Sequence, residues 1–331
     1  MIIATIDSGT TNTRVRIWKD DNILSEAKRS VGVRNTACDG NNKKLIKGIS
    51  ESLQDAIKCA NLEKIQIDLI LAAGMLTSNL GIVEIPHKIA PLSFKQLANS
   101  MISYKIQEIS DKPIWFVPGV KNIKDELIND YNISEMDIMR GEETEAAGIL
   151  LKRKHINEQT ILVLPGSHNK YIFFNEEKDI LGCTTTMAGE LLQSLTFNTI
   201  LSDCLNHNFA SEFRKEYFRK GVNYRNIYGL GHACFMARIL SLFSKASYID
   251  IQNYILGVIL EDDIESLRNN KFFKQMNNPM FIISGNSVIQ QAYECLLKYN
   301  RWKYELISED EQHGLSGYGA ISLARLNNLM E

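Results

Sequence analysis

An aspartate followed directly by small, hydroxyl-bearing and amide residues, Asp7-Ser8-Gly9-Thr10-Thr11-Asn12, suits a polyphosphate. A glycine there lets backbone amides approach phosphate oxygens with no Cβ in the way. Thr10, Thr11 and Asn12 add hydroxyl and amide donors, and Arg14 adds a cation. Asp7 can hold Mg²⁺ through water, because that ion gives up its hydration shell reluctantly. A second stretch, Gly166-Ser167-His168-Asn169-Lys170, repeats the order glycine, hydroxyl, any residue, asparagine and base, with one gap. Ser167, His168 and Lys170 are therefore candidates for the β- or γ-phosphate. No Gly-x-x-x-x-Gly-Lys-[Ser/Thr] occurs, which excludes a P-loop. Taken alone, each stretch also reads as an ordinary hairpin turn.

The elements needed to hold these loops are legible in the hydrophobic pattern. Residues 2–6 are apolar and largely β-branched and 14–18 alternate, so the first loop joins two strands of a hairpin. Leu45, Ile46, Ile49, Leu53, Ile57 and Ala60 recur at helical spacing and predict an amphipathic helix over 43–60. Ile65 to Ala72 reads as a buried strand ending at Gly74, and 113–118 as another. Gly141-Glu142-Glu143-Thr144 opens a helix that runs to about residue 153, and 160–174 is a second hairpin around the second loop. Helical patterns dominate 187–268, and the aromatic residues of 213–243 read as their core. A strand at 280–284 turns at Gly285-Asn286 into a helix over 287–299, suited to carry adenosine. A short strand, 304–307, precedes a last helix over 315–329. Two similar hairpins predict a duplicated α/β domain with a cleft between the halves.

Bulk properties narrow the class. A length of 331 residues favours two domains. A formal net charge of −2 with dispersed basic residues argues against nucleic acid or a membrane surface as partner. The six cysteines lie far apart, with no pair at metal or redox spacing, and are expected to be buried and reduced. His207, His232 and His313 show no metal-ligand spacing either. The N-terminus enters a strand with no leader-like pattern, and the most apolar stretch contains Asp68, so a cytoplasmic protein is expected.

The ordered set carries more information than any member. Asp7-x-Gly9-Thr10-Thr11, the helix from Glu142, the hairpin at Gly166, the strand and turn at Phe281–Ser287, and a final helix with Gly317 and Gly319 follow one another along the chain. This order resembles the actin/Hsp70/hexokinase superfamily, and so implies two ribonuclease-H-like domains with nucleotide bound in the cleft. Within it, Asp137-Ile-Met-Arg140-Gly-Glu-Glu-Thr144, Leu164-Pro-Gly-Ser-His-Asn-Lys-Tyr171, Ala73-Gly74-Met75, Glu84-Ile-Pro86 and Thr186-Met-Ala-Gly-Glu-Leu191 resemble the 2-dehydro-3-deoxygalactonokinase family. Ser8 stands where that family usually has Trp, and His87 where Tyr is usual.

The resemblance implies transfer of the ATP γ-phosphate, with Mg²⁺, to the 6-hydroxyl of 2-dehydro-3-deoxy-D-galactonate. It places a phosphate-1 domain with the sugar-acid site in 1–140, and a nucleotide-binding domain in 141–331, with the last helix returning to the interdomain face. The nucleotide is expected on Gly9, Thr10, Thr11, Asn12, Arg14, Gly166, Ser167, His168, Lys170, Gly285 and Asn286. The sugar acid is expected on Gly74, Met75, Arg140, Thr186 and Glu190, with Arg140 gripping its carboxylate. A hydroxyl nucleophile calls for a carboxylate base, and Glu142 and Glu143 are both candidates. Asp7 is cast as a Mg²⁺-side residue. Oligomeric state is left open, a homodimer included. Another sugar or acyl kinase, or a nucleotide-switch ATPase, are the competing readings.

Overall fold

The computed structural model describes residues 1–63 and 66–330. It divides into two compact units. The first comprises Met1–Asn157, Asn175–Cys183 and His313–Glu331, and the second Glu158–Phe174 and Thr184–Gln312.

The first unit is built on a six-stranded sheet in the order Asn22–Arg29, Thr13–Lys19, Ile2–Ser8, Leu69–Gly74, Ile114–Phe116, Ile102–Tyr104. The first three strands are antiparallel, while Leu69–Gly74 runs parallel to Ile2–Ser8. All six residues of Leu69–Gly74 are buried, as expected of a parallel strand covered on both faces. The expected strand start at Ile65 lies outside the described residues. Helix Lys43–Cys59 lays Leu45, Ile49, Leu53, Ala56 and Ile57 into a core with Ile6, Val15, Ile17 and Phe116. Strand Asn22–Arg29 gives no hydrophobic signal because every second residue faces solvent and the others are only half-buried.

Helices Glu142–Leu150 and Leu315–Leu326 pack backbone to backbone in this unit, because glycines face each other. A Cβ on Gly148 would lie 2.4 Å from the Leu315 carbonyl oxygen, and one on Gly319 would lie 1.8 Å from that of Thr144. The small residues seen in both helices therefore serve close approach. This contact is also why the compact units do not divide at 140/141: both helices belong to the first. Gly319→Ala is expected to lower stability by about 1–3 kcal/mol, the usual scale for overpacking. The urea midpoint measures it, and an unchanged midpoint would contradict the packing argument.

The second unit holds a five-stranded sheet in the order Ile180–Thr186, Asn169–Phe174, Thr160–Leu164, Met280–Ile283, Lys303–Leu306. Only Thr184–Thr186 of the first-named strand fall within this unit. Thr160–Leu164 pairs antiparallel with Asn169–Phe174 and parallel with Met280–Ile283. The strand order matches that of the first five strands of the other sheet. The duplication expected from two hairpins is thus a duplication of topology.

Helix Tyr248–Asn269 runs buried through the second unit against helices Ala188–Phe197, Lys215–Tyr228 and Leu230–Phe243. The aromatic core expected over 213–243 is only partly a core. Phe218 is fully buried, whereas Phe235 and Phe243 are 47% and 80% exposed. The six cysteines are free thiols; Cys38 and Cys59 are exposed, which corrects the expectation that all are buried. Among the described residues no helix is long and apolar enough to cross a membrane.

Candidate functional site

The sequence-predicted residues fall into two groups, one in each unit. In the first unit, the sheet register brings Asp7 level with Arg14 on one side and Ala73 on the other, and Ser8 level with Gly74. The Gly9–Asn12 turn is closed by Gly9 N–H donating to the Asn12 carbonyl at 2.9 Å. It is seated from outside: the carbonyls of Gly9 and Thr10 accept from the amides of Val33 and Arg34. A Cβ on Gly32 would lie 2.5 Å from both carbonyl oxygens, so glycine is required there for close approach. Asp7, Gly9, Thr10, Thr11, Asn12 and Arg14 line a common recess of about 210 Å³ together with Lys28. Lys28 carries no sequence signal; it stands opposite Arg14 on the neighbouring strand. Arg14 is itself held by Glu26, Nε to Oε1 at 3.3 Å.

Beside Asp7 two glycine backbones meet. Gly74 has φ +80° and a Cβ there would lie 2.6 Å from the Ser8 carbonyl oxygen; a Cβ on Gly141, φ +118°, would lie 3.2 Å from the Gly74 Cα. This brings the start of helix Glu142–Leu150 to the Asp7 strand. Asp7 Oδ2 accepts from Ser316 Oγ at 3.1 Å. Burial pushes the Asp7 carboxyl up, opposed by the Ser316 hydrogen bond and by Arg16 and Arg14, and reinforced by the negative charge of Glu142. Glu145, which no sequence motif marks, is pushed up to about 7 by burial and then by Asp7 and Glu142. Asp7, Glu142 and Glu145 therefore share one patch of negative field.

Glu142 and Glu143 differ sharply in setting. Glu143 is fully buried. Its two oxygens accept from Gly141 N–H at 2.9 and 2.8 Å, and Oε1 also accepts from Thr144 Oγ1 at 3.1 Å. Burial, then Glu142, push it up to about 7 against those bonds. Glu142 is half-buried and accepts from Arg140 N–H through one oxygen, Oε2, at 2.9 Å.

Arg140 is not presented as a free fork. Its Nη1 donates to the carbonyl and hydroxyl of Thr77, and Nη2 donates to the Ile85 carbonyl at 3.0 Å and to His87 Nδ1 at 3.2 Å. Burial, then Arg140 and Lys121, push His87 down to about 4, which leaves it neutral and able to accept at Nδ1. The guanidinium thus ties down the 77–87 segment, and the bidentate carboxylate grip expected of it is taken up by protein groups. Met75, half-buried, packs against the sheet core.

In the second unit, a cavity of about 330 Å³ opens beside the second loop. Gly166, Ser167, Asn169, Gly189, Gly285 and Asn286 line one part, and Leu192, Phe209, Ile255, Leu256 and Ile259 another. Gln193, Asn208 and Gln252 supply polar edges. An apolar slot with a few polar groups, bordered by glycine backbones, fits a nucleobase and ribose. The Gly285 turn, φ +104°, is clamped by Gln312. That side chain accepts from Gly285 N–H at 3.0 Å and donates to the Gly285 carbonyl at 2.9 Å. Asn286 caps the following helix, accepting from Ile289 N–H at 3.1 Å, while still lining the cavity.

The remaining candidates divide. Glu190 meets His168, Oε1 to Nε2 at 3.1 Å, and its amide donates to the Ser167 carbonyl at 2.9 Å. Thr186 has a buried hydroxyl that faces Asp263 and helps to stabilise that carboxylate, without a hydrogen bond of full geometry. Lys170 is 4% exposed and its ammonium donates to Thr185 Oγ1, so it is engaged inside the unit. Thr186 and Glu190 lie in the second unit and Gly74, Met75 and Arg140 in the first, so neither unit alone gathers the expected sugar-acid residues.

Gly189 is a further candidate position, marked by close approach to the second loop. A Cβ there would lie 2.0 Å from the Gly166 carbonyl oxygen. Gly189→Ala is therefore expected to displace the loop and raise the dissociation constant for ADP by about tenfold or more, which takes only ~1.4 kcal/mol. Calorimetric titration measures it, and a constant within twofold of wild type would show that the loop does not touch nucleotide.

Two sheets of one strand order, each carrying a polar glycine hairpin, with an apolar cavity at one of them, define the duplicated α/β fold of actin, Hsp70 and the sugar kinases. Among solved structures, the chain is similar to a protein from Sinorhizobium meliloti provisionally assigned as a 2-dehydro-3-deoxygalactonokinase. The two share 19% identity over 98% of each chain, with a TM-score of 0.76. It is also similar to component A of the (R)-2-hydroxyglutaryl-CoA dehydratase of Acidaminococcus fermentans, at 13% identity over 98% of this chain and 99% of that one, TM-score 0.52. A provisionally assigned N-acetylglucosamine kinase from Porphyromonas gingivalis matches at 12% identity over 96% and 99%, TM-score 0.51. No curated protein matches the chain significantly in sequence. The chain belongs to the 2-keto-3-deoxy-galactonokinase family, whose model it matches over residues 7–317. It is a sugar-acid kinase, a phosphotransferase acting on a hydroxyl group.

Proposed function

We propose that the chain transfers the γ-phosphate of ATP, with Mg²⁺, to the 6-hydroxyl of 2-dehydro-3-deoxy-D-galactonate as a cytoplasmic enzyme. The observation that carries the nucleotide assignment is the glycine-bordered apolar cavity of the second unit. Gly166, Ser167, Gly285 and Asn286 hold the nucleotide there, with His168 beside them on the second loop. Gly9, Thr10, Thr11 and Asn12, with Arg14 and Lys28, serve phosphate oxygens, as two cations around a recess of amide and hydroxyl donors are suited to do.

Mg²⁺ fits the donor set at Asp7. The oxygens are hard, and burial with repulsion from Glu142 raises the carboxyl, a cost that a cation would relieve. Among the described residues no group of three acidic, histidine or cysteine side chains is arranged to hold a metal, so Asp7, aided by Glu145, would act through the ion's own water. When bound, the ion supplies charge neutralisation on the phosphate oxygens.

Glu142 is the base. Glu143 has both oxygens occupied by Gly141 and Thr144 and no exposed surface, whereas Glu142 is half-buried and bonded at one oxygen only. Gly74 and Met75 shape the sugar-acid side in the first unit, where Arg140 positions the 77–87 segment. In the second unit, Thr186 and Glu190 are the substrate-side residues.

Initial rates of ADP formation with a panel of C6 keto-deoxy acids test this reading. Rates that rise with the galactonate-derived acid above its gluconate-derived epimer support it. ADP formation indifferent to every acid would overturn it.

A further inference from the structure

We propose that Asp263 is a positioning residue of the nucleotide site, setting the shape of the Gly166–Lys170 loop through the side chain of Asn169. This rests on the nucleotide assignment above and names a part of the site outside the cavity itself.

Asp263 belongs to helix Tyr248–Asn269 and is 5% exposed. Its Oδ2 accepts from Asn169 Nδ2 at 2.8 Å and from the Tyr171 hydroxyl at 3.1 Å. Asn169 Nδ2 also donates to the Tyr293 hydroxyl at 3.0 Å, and the two tyrosine oxygens are 2.9 Å apart. On its other side, Asn169 Oδ1 accepts from Gly166 N–H at 3.0 Å. Asn169, Tyr171 and Tyr293 are all nearly or completely buried.

Donor and acceptor counting fixes the direction of this network. A carboxylate accepts only, so the Asn169 amide must turn its NH₂ toward Asp263 and its oxygen toward Gly166. That orientation closes the loop at the glycine whose backbone lines the cavity. Tyr293 extends the network into helix Ser287–Asn300, which starts at Asn286 on the same cavity. One buried carboxylate thus braces the cavity from two elements. A buried network of this kind rigidifies when fully satisfied and is costly when one member is lost. Burial pushes Asp263 up to about 6, opposed first by the Asn169 bond, so the group remains largely ionised at neutral pH.

The test compares Asp263→Asn, Asn169→Asp and the double exchange in the full chain. The readouts are calorimetric ADP affinity and steady-state constants for ATP and the acid. Asp263→Asn leaves a neutral amide oxygen to accept from Asn169 and Tyr171 in place of a carboxylate, so both bonds lose their charge assistance, and it is expected to raise the ADP dissociation constant and the ATP KM by about tenfold, leaving the acid KM within about twofold. The double exchange reverses every bond: the new amide at 263 donates to the new carboxylate at 169 and to Tyr171, while Gly166 N–H still has its acceptor. It is expected to return ADP affinity to within about threefold of wild type, since each bond is restored in reverse.

Nucleotide constants unchanged in Asp263→Asn, equal rises in both substrates' KM, or a folded double exchange no better than the single variants would each overturn the proposal. Should Asp263→Asn fail to fold, Tyr293→Phe removes one acceptor of Asn169 without leaving a charge. It is expected to weaken ADP by about threefold, and no weakening would overturn the proposal. Wild-type protein that binds ADP but phosphorylates no acid would overturn only the activity assigned above. Wild-type protein that binds no ADP would overturn both.

Discussion

Glu142→Gln is expected to lower kcat by about 10²- to 10⁴-fold, the range for loss of a general base, with ADP affinity nearly unchanged. A sugar hydroxyl is a weak nucleophile at neutral pH, and phosphoryl transfer asks the protein for position, charge and one proton acceptor. Glu142 is half-buried at the first turn of its helix, and one of its oxygens is not committed to the backbone. Glutamine keeps the size and the ability to accept from Arg140 N–H but cannot take a proton. Glu143→Gln is the comparison. Its carboxylate shapes the turn at Gly141, so kcat is expected to fall by no more than about tenfold, the scale of a lost hydrogen bond to a charged group. Single-turnover rates with both variants decide. A larger loss in Glu143→Gln than in Glu142→Gln would reverse the assignment.

Asp7→Asn is expected to lower activity about 10- to 100-fold and to raise the Mg²⁺ concentration needed for half-maximal rate, as for a group that holds a metal through its outer shell. Stability should move the other way or not at all. The folded-state pKa of Asp7 is raised, so the ionised form is the one that burial penalises, and that penalty is present at pH values above the ordinary carboxylate range. Removing the charge removes the penalty. A variant that loses activity but not stability marks a residue kept for function. Rates titrated against Mg²⁺, with a urea melt alongside, test it. Unchanged Mg²⁺ dependence would place the ion elsewhere.

Much of the architecture is legible in the sequence because its signals are local. Period-two runs mark the hairpins, and Gly74, Gly141 and Gly285 stand at the positive-φ turns that only glycine readily adopts. What escapes has a physical reason. Strand Asn22–Arg29 is an edge strand with a wet face, so its residues Arg29, Lys28 and Glu26 read as surface loop. Gln312 and Asp263 act on loops 27 and 94 positions away, which no spacing rule anticipates. Arg140 and Lys170 read as cations near a loop, but protein groups take up their hydrogen bonds: the Thr77 and Ile85 carbonyls for one, the Thr185 hydroxyl among those for the other. The choice between Glu142 and Glu143 could not be made from adjacent identical residues. What separates their settings is that the helix start turns Glu143 inward and leaves Glu142 half-buried.

We propose that this sugar-acid kinase places phosphate on the 6-hydroxyl of a keto-deoxy galactonate. Phosphorus–proton correlation NMR on the product of ATP, Mg²⁺ and 2-dehydro-3-deoxy-D-galactonate tests it most directly. One new phosphate monoester coupled to the two C6 protons, formed in step with ADP, is the expected result. A phosphate signal coupled elsewhere, or ADP released with no phosphorylated acid, would contradict it.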